Sequence, residues 1–255
     1  MSEELPPYLG VLVVDAERYG SNTDPGQQKL AEAIPEVLEA AFHESGLAHV
    51  WEGKLFPQDT GDGMGLAFDT RHLPAVVEGF FGALQEVLVA RDAYMRRYNR
   101  ALRLRLRAAL HVGPVLRVGG GRALVTAHRL LDAAPLRDAL KRSDPERTYL
   151  AALLSNRVHE DVVHTDYATL PTAPVEVEIK EYRATAHLHV PTPSGDLLTS
   201  GLVPIPEPPA TPDPADQPAT PDPTPTTGPV HNVMSGIHTG TAIQVGHLHG
   251  GLNNH

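Results

Sequence analysis

Two stretches decide the fold: Gly10-Val-Leu-Val-Val-Asp-Ala-Glu-Arg-Tyr-Gly20 and Phe56-Pro-Gln-Asp-Thr-Gly-Asp-Gly-Met-Gly-Leu-Ala-Phe68. The first continues an apolar run from Tyr8, the pattern of a strand covered on both faces, and Asp15 closes that run. In the second, Asp62 sits in a Gly-Asp-Gly turn beside a second apolar run. Carboxylates on adjacent strand ends suit divalent cations, and a pair of cations suits phosphoryl chemistry. Asp also ends strands and makes turns for local reasons, so each acid alone has a purely structural reading. Their pairing within one strand order is what points to metal.

Outward from these stretches, the pattern alternates strands and helices. A helix is expected after the loop at 21–26, with Leu30, Ile34, Val37, Leu38, Ala41 and Phe42 on its apolar face. Pro35 lies within it and predicts a kink or division, because proline removes a backbone donor; Gly46 suits its end. Residues 49–56 and 63–68 read as a hairpin around Asp62. A long helix is expected over 74–99, its apolar face carrying Val76, Val77, Phe80, Phe81, Leu84, Val87, Leu88 and Met95. Its basic end (Arg96, Arg97, Arg100) suits the helix dipole. Residues 102–112 alternate Leu with Arg as a strand. The order strand, helix, strand, strand, helix, strand gives an α/β (α+β) sandwich of ferredoxin-like type, βααββαβ when the divided first helix is counted twice. A tight loop at Gly119, Gly120 and Gly121 precedes helices at 123–131 and 135–140. A strand at 148–154, a helix at 156–162 and a hairpin at 175–180 and 185–190 complete the core.

The chain has 255 residues and divides by composition. Residues 1–190 are ordinary globular sequence. Residues 191–229 are rich in Pro, Thr and Asp and read as a disordered linker, extended and polyproline-like, with the repeat Pro-Ala-Thr-Pro-Asp-Pro. Residues 230–255 are rich in Gly, His and Asn. The net charge of −10, from 31 acids against 21 Lys and Arg, argues against a nucleic-acid partner, which needs a basic footprint. The absence of cysteine excludes disulfides and thiol chemistry. No apolar run approaches the ~20 residues of a membrane helix, and the N-terminus lacks signal-peptide features. The expectation is a cytoplasmic protein with no membrane partner.

The Asp15 and Asp62 motifs, in this strand order, resemble the class III nucleotide cyclase homology domain, in particular a cyclase-like group from filamentous actinobacteria, over about Tyr8 to Val190. The resemblance implies conversion of a nucleoside triphosphate to a cyclic nucleotide with loss of pyrophosphate. It implies two Mg²⁺ or Mn²⁺ ions per site, held by Asp15, the carbonyl of Ala16, and Asp62. It places a transition-state donor at Arg129, a triphosphate contact at Lys180 and a base contact at Gln58. It also implies a homodimer in which the acids come from one chain and Arg129 from its partner. Two departures stand out. Val125 occupies the place of a ribose-orienting Asn, and Gln58 the place of a base-selecting Lys or Glu; a Gln both donates and accepts. Loss of one transition-state donor costs ~3 kcal/mol.

In the last segment Asn232, Gly236, Gly240 and Gln244 recur every four residues, and Ile243-Gln244-Val245-Gly246 has the form of the RIP homotypic interaction tetrad. The segment resembles short amyloid signalling motifs, where β-branched residues zip and Gln and Asn form ladders. That implies a sensor protein with a matching motif as partner, and a role in bacterial defence. A Gly-rich disordered tail and a His-based metal tail are the alternatives. Two functions follow: a cyclase effector coupled to homotypic assembly, or a catalytically inactive cyclase-fold module acting through its C-terminal motif.

Overall fold

The computed structural model describes residues 4–116, 119–179 and 181–203. Strand β1 (Tyr8–Ala16) lies inside a seven-stranded sheet because both of its faces are apolar and covered. Leu12, Val14 and Ala16 face one layer of core, while Leu9, Val11 and Val13 face the other. The remaining strands are β2 (Leu55–Asp59), β3 (Gly63–Asp69), β4 (Leu106–Pro114), β5 (Leu150–Ser155), β6 (Ala173–Ile179) and β7 (Tyr182–His189). Their order across the sheet is β2-β3-β1-β4-β5-β7-β6. Among these pairs only β4 and β5 run parallel. Strands β1 to β4 alone form the ferredoxin-like arrangement expected from the sequence; β5, β7 and β6 extend it beyond β4.

The helices are α1 (Asp24–Glu44), α2 (Ala48–Glu52), α3 (Leu73–Ala75), α4 (Phe81–Arg96), α5 (Arg122–Leu131), α6 (Ala134–Arg142), α7 (Asn156–Val158) and α8 (Asp196–Ser200). Those before β4, together with α7, pack with the first core layer; α5, α6 and α8 pack with the second. A π-helical stretch, Val76–Phe80, joins α3 to α4. Phe42 of α1 lies 4.4 Å from Phe80 and 5.8 Å from Trp51, ring centre to ring centre, so three segments share one aromatic contact.

Polar side chains fix the layers in register. Gln85 of α4 donates to the Arg147 carbonyl and accepts from the Tyr149 and Leu150 amides. Asp92, fully buried, accepts from the Leu104 amide at 3.0 Å and from the Tyr149 hydroxyl at 3.3 Å. Burial pushes its carboxyl up, against those hydrogen bonds and the nearby Arg103 and Arg96.

Four expectations are corrected. Pro35 does not divide α1, which runs unbroken over 21 residues. Burial of Ile34, Val37 and Leu38 around the proline outweighs a defect worth ~3 kcal/mol. The first half of the expected strand at 49–56 is the helical turn α2, since its apolar Val50 and Trp51 are buried side by side. The helical stretch Thr70–Arg96 is, by composition, long and apolar enough to cross a membrane, though Val76, Val77, Phe80, Phe81, Leu84 and Leu88 are spent on the core. Finally, residues 191–203 are folded. Ser194 and Leu197 are buried, the Thr148 hydroxyl donates to the Thr192 carbonyl, and Arg142 donates to the carbonyls of Gly201 and Leu202. Gly195, at φ 58°, has no room for a Cβ, which would lie 2.9 Å from the Arg142 carbonyl oxygen.

Phe42→Ala should cost ~3–5 kcal/mol of unfolding free energy, the usual cost of emptying a buried aromatic site. Urea unfolding checks it; a loss below ~1 kcal/mol would show that the aromatic contact does not hold the layer.

Candidate metal and nucleotide site

The end of β1 is where the two acids meet. Register places Asp15 opposite Gly63 of β3 on one side and opposite Arg107 of β4 on the other. The Ala16 amide donates to the Asp62 carbonyl at 2.8 Å, so the two acidic residues sit on adjoining backbone. Gly63 is required here: a Cβ would lie 2.1 Å from the Val14 carbonyl oxygen and 3.0 Å from the Asp15 Cα. The Gly-Asp-Gly turn is therefore pressed directly against β1.

Asp15 is 8% exposed. Its two oxygens accept from the Arg107 guanidinium, Nε to Oδ1 at 2.8 Å and Nη2 to Oδ2 at 2.5 Å. Burial pushes the Asp15 carboxyl up to about 6; Arg107 opposes this, and the negative charges of Asp62 and Asp132 add to it. Asp62 is half-buried, and its Oδ1 accepts from the Thr60 hydroxyl at 3.2 Å.

The donor chemistry fits a divalent cation: hard carboxylate oxygens from two segments that a backbone bond holds together. Arg107 engages both Asp15 oxygens, so a cation at Asp15 competes with that guanidinium for the carboxylate. Among the described residues no cluster of three or more His, Cys, Asp or Glu is arranged to hold a metal. A cation there would need backbone or substrate oxygens, such as the Ala16 carbonyl, to complete its shell.

Arg107 was not singled out by the sequence, where Arg103, Arg105 and Arg107 read as one face of an alternating strand and Leu102, Leu104 and Leu106 as the other. Arg105 is in fact buried. It donates to Glu17, to the carbonyls of Thr148 and Leu140, and to the Ser143 hydroxyl. Beside it opens a cleft of about 480 Å³ lined by five cations, Arg18, Arg105, Arg107, Arg137 and Lys141. On a chain of net charge −10, such a lining suits a polyanion. The available signal was the unbroken Arg spacing next to the acid-bearing strand.

The other candidates are placed apart. Gln58 on β2 donates its Nε2 to the Gly119 carbonyl at 2.7 Å, which leaves Oε1 as an acceptor. Gly119 has φ +72°, and a Cβ there would meet the Phe56 Cβ at 2.9 Å. Val125 is 48% exposed on α5 and offers no hydrogen bond. The Arg129 guanidinium lies over the Tyr182 ring at 5.6 Å, and within one chain it does not join Asp15. Lys180 and the motif residues Asn232, Gly236, Gly240, Ile243, Gln244, Val245 and Gly246 lie outside the described residues.

Comparison with solved structures finds adenylyl and guanylyl cyclases. A bacterial light-regulated adenylyl cyclase aligns with a TM-score of 0.50 at 13% identity, covering 76% of this chain and 55% of that one. The guanylyl cyclase Cya2 aligns at 0.44 and 12% identity, covering 74% and 93%. An adenylate/guanylate cyclase/hydrolase from Silicibacter pomeroyi aligns at 0.44 and 20%, covering 71% and 94%. At these identities the likeness shows the fold alone. No family model and no curated protein matches the sequence.

The raised Asp15 carboxyl has a measurable consequence. Below its ordinary pKa near 3.8 the group is neutral folded and unfolded. As pH rises towards about 6, the unfolded chain loses the proton that the folded chain keeps, so stability falls by on the order of 3 kcal/mol and the penalty then persists. Asp15→Asn removes this dependence. The variant's unfolding free energy relative to the parent should rise between pH 4 and pH 7.5, as read by urea unfolding at both values; no change, or a fall, would contradict a strained buried acid.

Proposed function

We propose that the chain is a nucleotide cyclase-like signalling effector. The observation that carries this reading is the buried Asp15, held beside Asp62 and a cationic cleft at one end of a cyclase-type sheet. A divalent cation at the acids would supply the polarisation that makes a ribose hydroxyl nucleophilic and would neutralise phosphate charge. Asp15 and Asp62 would hold the cation, and Arg107, which lines the cationic cleft beside them, is placed to bind phosphate oxygens. Arg129 donates to the reacting phosphate from a second copy of the chain, as an always-charged planar group is suited to do. The location of Arg129 against Tyr182, away from Asp15 in its own chain, supports a homodimeric site. Gln58, with one N–H on Gly119, keeps a second N–H and its Oε1, so it offers the base both a donor and an acceptor. The motif at 230–255 couples the domain to its own assembly or to a sensor protein bearing a matching motif. Clustering raises the local concentration of half-sites, which suits a cytoplasmic defence effector.

The test is purified full-length protein with Mn²⁺ or Mg²⁺ and each of the four triphosphates. The expected result is a cyclic nucleotide and pyrophosphate from at least one of them. Asp15→Asn and Asp62→Asn should each lose at least ~100-fold, and Arg129→Ala about 10²–10³-fold. Mixing Asp15→Asn with Arg129→Ala should restore part of the activity, because one of the two sites in a mixed dimer is intact. No cyclic product from any triphosphate, with or without assembly of the tail, would overturn the reading.

A second reading has its own support: Arg107 occupies both Asp15 oxygens, and Val125 offers no donor. In it the fold is an inactive module and the C-terminal motif acts alone. Asp15→Ala would then leave the cellular phenotype unchanged while Gln244→Ala abolishes it; the reverse pattern eliminates this reading.

A further inference from the structure

A second cleft, of about 360 Å³, opens where the parallel strands β4 and β5 end, beneath the start of α5. It is a different place from the acid pair. On β4, His111 pairs with Val11 while Arg107 pairs with Asp15, so the two sites are roughly 13 Å apart along the strand. Its polar lining comes from five elements: His111 of β4, Arg122 and Thr126 of α5, Ser155 of β5, Asn156 and Arg157 of α7, and Tyr182 and Thr185 of β7. Among the described residues no Asp or Glu lines it, although acids outnumber cations across the chain.

Several features point to an anion. Arg122 makes no hydrogen bond or ion pair among the described residues and is exposed. Arg157 is held in place by Tyr8, whose hydroxyl accepts from it and whose ring lies 5.7 Å away. Helix α5 begins at Arg122 behind Gly121, with no side chain capping its first amides; such amides carry partial positive charge. The Nδ1 of His111 is buried with no partner. Burial, and then Arg157, hold this imidazole down to about 4, so it is neutral at pH 7. Nδ1 has nothing to donate to, which leaves the proton on Nε2. Gly113 keeps the space beside that nitrogen open: a Cβ there would lie 3.3 Å from Nε2 and 3.2 Å from the Ala123 Cβ.

We propose that this cleft binds the phosphate group of a small soluble phosphomonoester, clamped between Arg122 and Arg157 at the first turn of α5 with His111 Nε2–H as a further donor. Two guanidinium groups, a helix N-terminus and a neutral donor match the three outer oxygens of a phosphate. The cleft volume of about 360 Å³ accommodates a phosphate together with the group it esterifies. The proposal does not depend on cyclase activity.

The experiment is NMR titration of the full-length chain at pH 7.5 and constant ionic strength, following the His111 imidazole signal, assigned by its loss in His111→Gln. The probes are inorganic phosphate, glycerol 3-phosphate and acetate. The expected result is a saturable shift with both phosphates, at least fivefold weaker binding of acetate, and at least tenfold weaker phosphate binding in Arg122→Ala. Arg122→Lys, which keeps the charge, should fall between. Asp15→Asn should bind phosphate as the parent does. No saturable shift, equal affinity in Arg122→Ala, equal binding of acetate, or loss of binding in Asp15→Asn would each overturn the proposal.

Discussion

The two-point contact between Arg107 and Asp15 is the interaction on which the rest of the molecule turns. It joins the ends of two central strands across a buried position. Burying a carboxylate in that place is costly, and the guanidinium offsets only part of the cost, so the acid keeps a carboxyl raised to about 6. A group held in that condition gains from any stronger cation that reaches it. A structural ion pair chosen for stability alone would be better served by apolar residues of similar size.

The surroundings hold this contact in place. Gly63 lets the Asp62 turn lie flat on β1, and the Ala16 amide locks the two acids into one backbone frame. Arg105, two residues before Arg107, pins the β4 end to the α6–β5 connection through Leu140, Ser143 and Thr148. At the far edge Gln58 ties β2 to Gly119. The acids therefore sit on rigid strand ends. Gln58 and helix α5 share the Asp15 face of the sheet, but the Arg129 guanidinium is turned onto Tyr182. An arginine engaged away from the acids of its own chain is what a site shared between two copies would require.

Much of the fold was legible because its signals are local. The apolar run of β1, the helical spacing on α1 and α4 and the Gly-Asp-Gly turn each decide structure within a few residues. What escaped the sequence depends on contacts between distant segments. Val50 and Trp51 turn a strand-like stretch into α2 because both are buried there, with Trp51 beside Phe42. Pro35 is tolerated because burial on both sides outweighs one missing hydrogen bond. Residues 191–203 join the core through Ser194 and Leu197, in a stretch whose composition says linker. Arg107 was one of three alternating arginines, and only the pairing of β4 with β1 sets it against Asp15. The cleft at the ends of β4 and β5 draws on five segments and has no signature in any of them.

The central claim is that Asp15 is an exchangeable seat, filled by Arg107 until a divalent cation takes it. Electron paramagnetic resonance of Mn²⁺ tests this most directly, by titrating the parent chain, Asp15→Asn, Asp62→Asn and Arg107→Ala without nucleotide. The account expects bound Mn²⁺ in the parent, binding at least tenfold weaker in both acid variants, and tighter binding in Arg107→Ala, where no guanidinium competes. Mn²⁺ bound equally by the parent and Asp15→Asn, with no gain in Arg107→Ala, would contradict it.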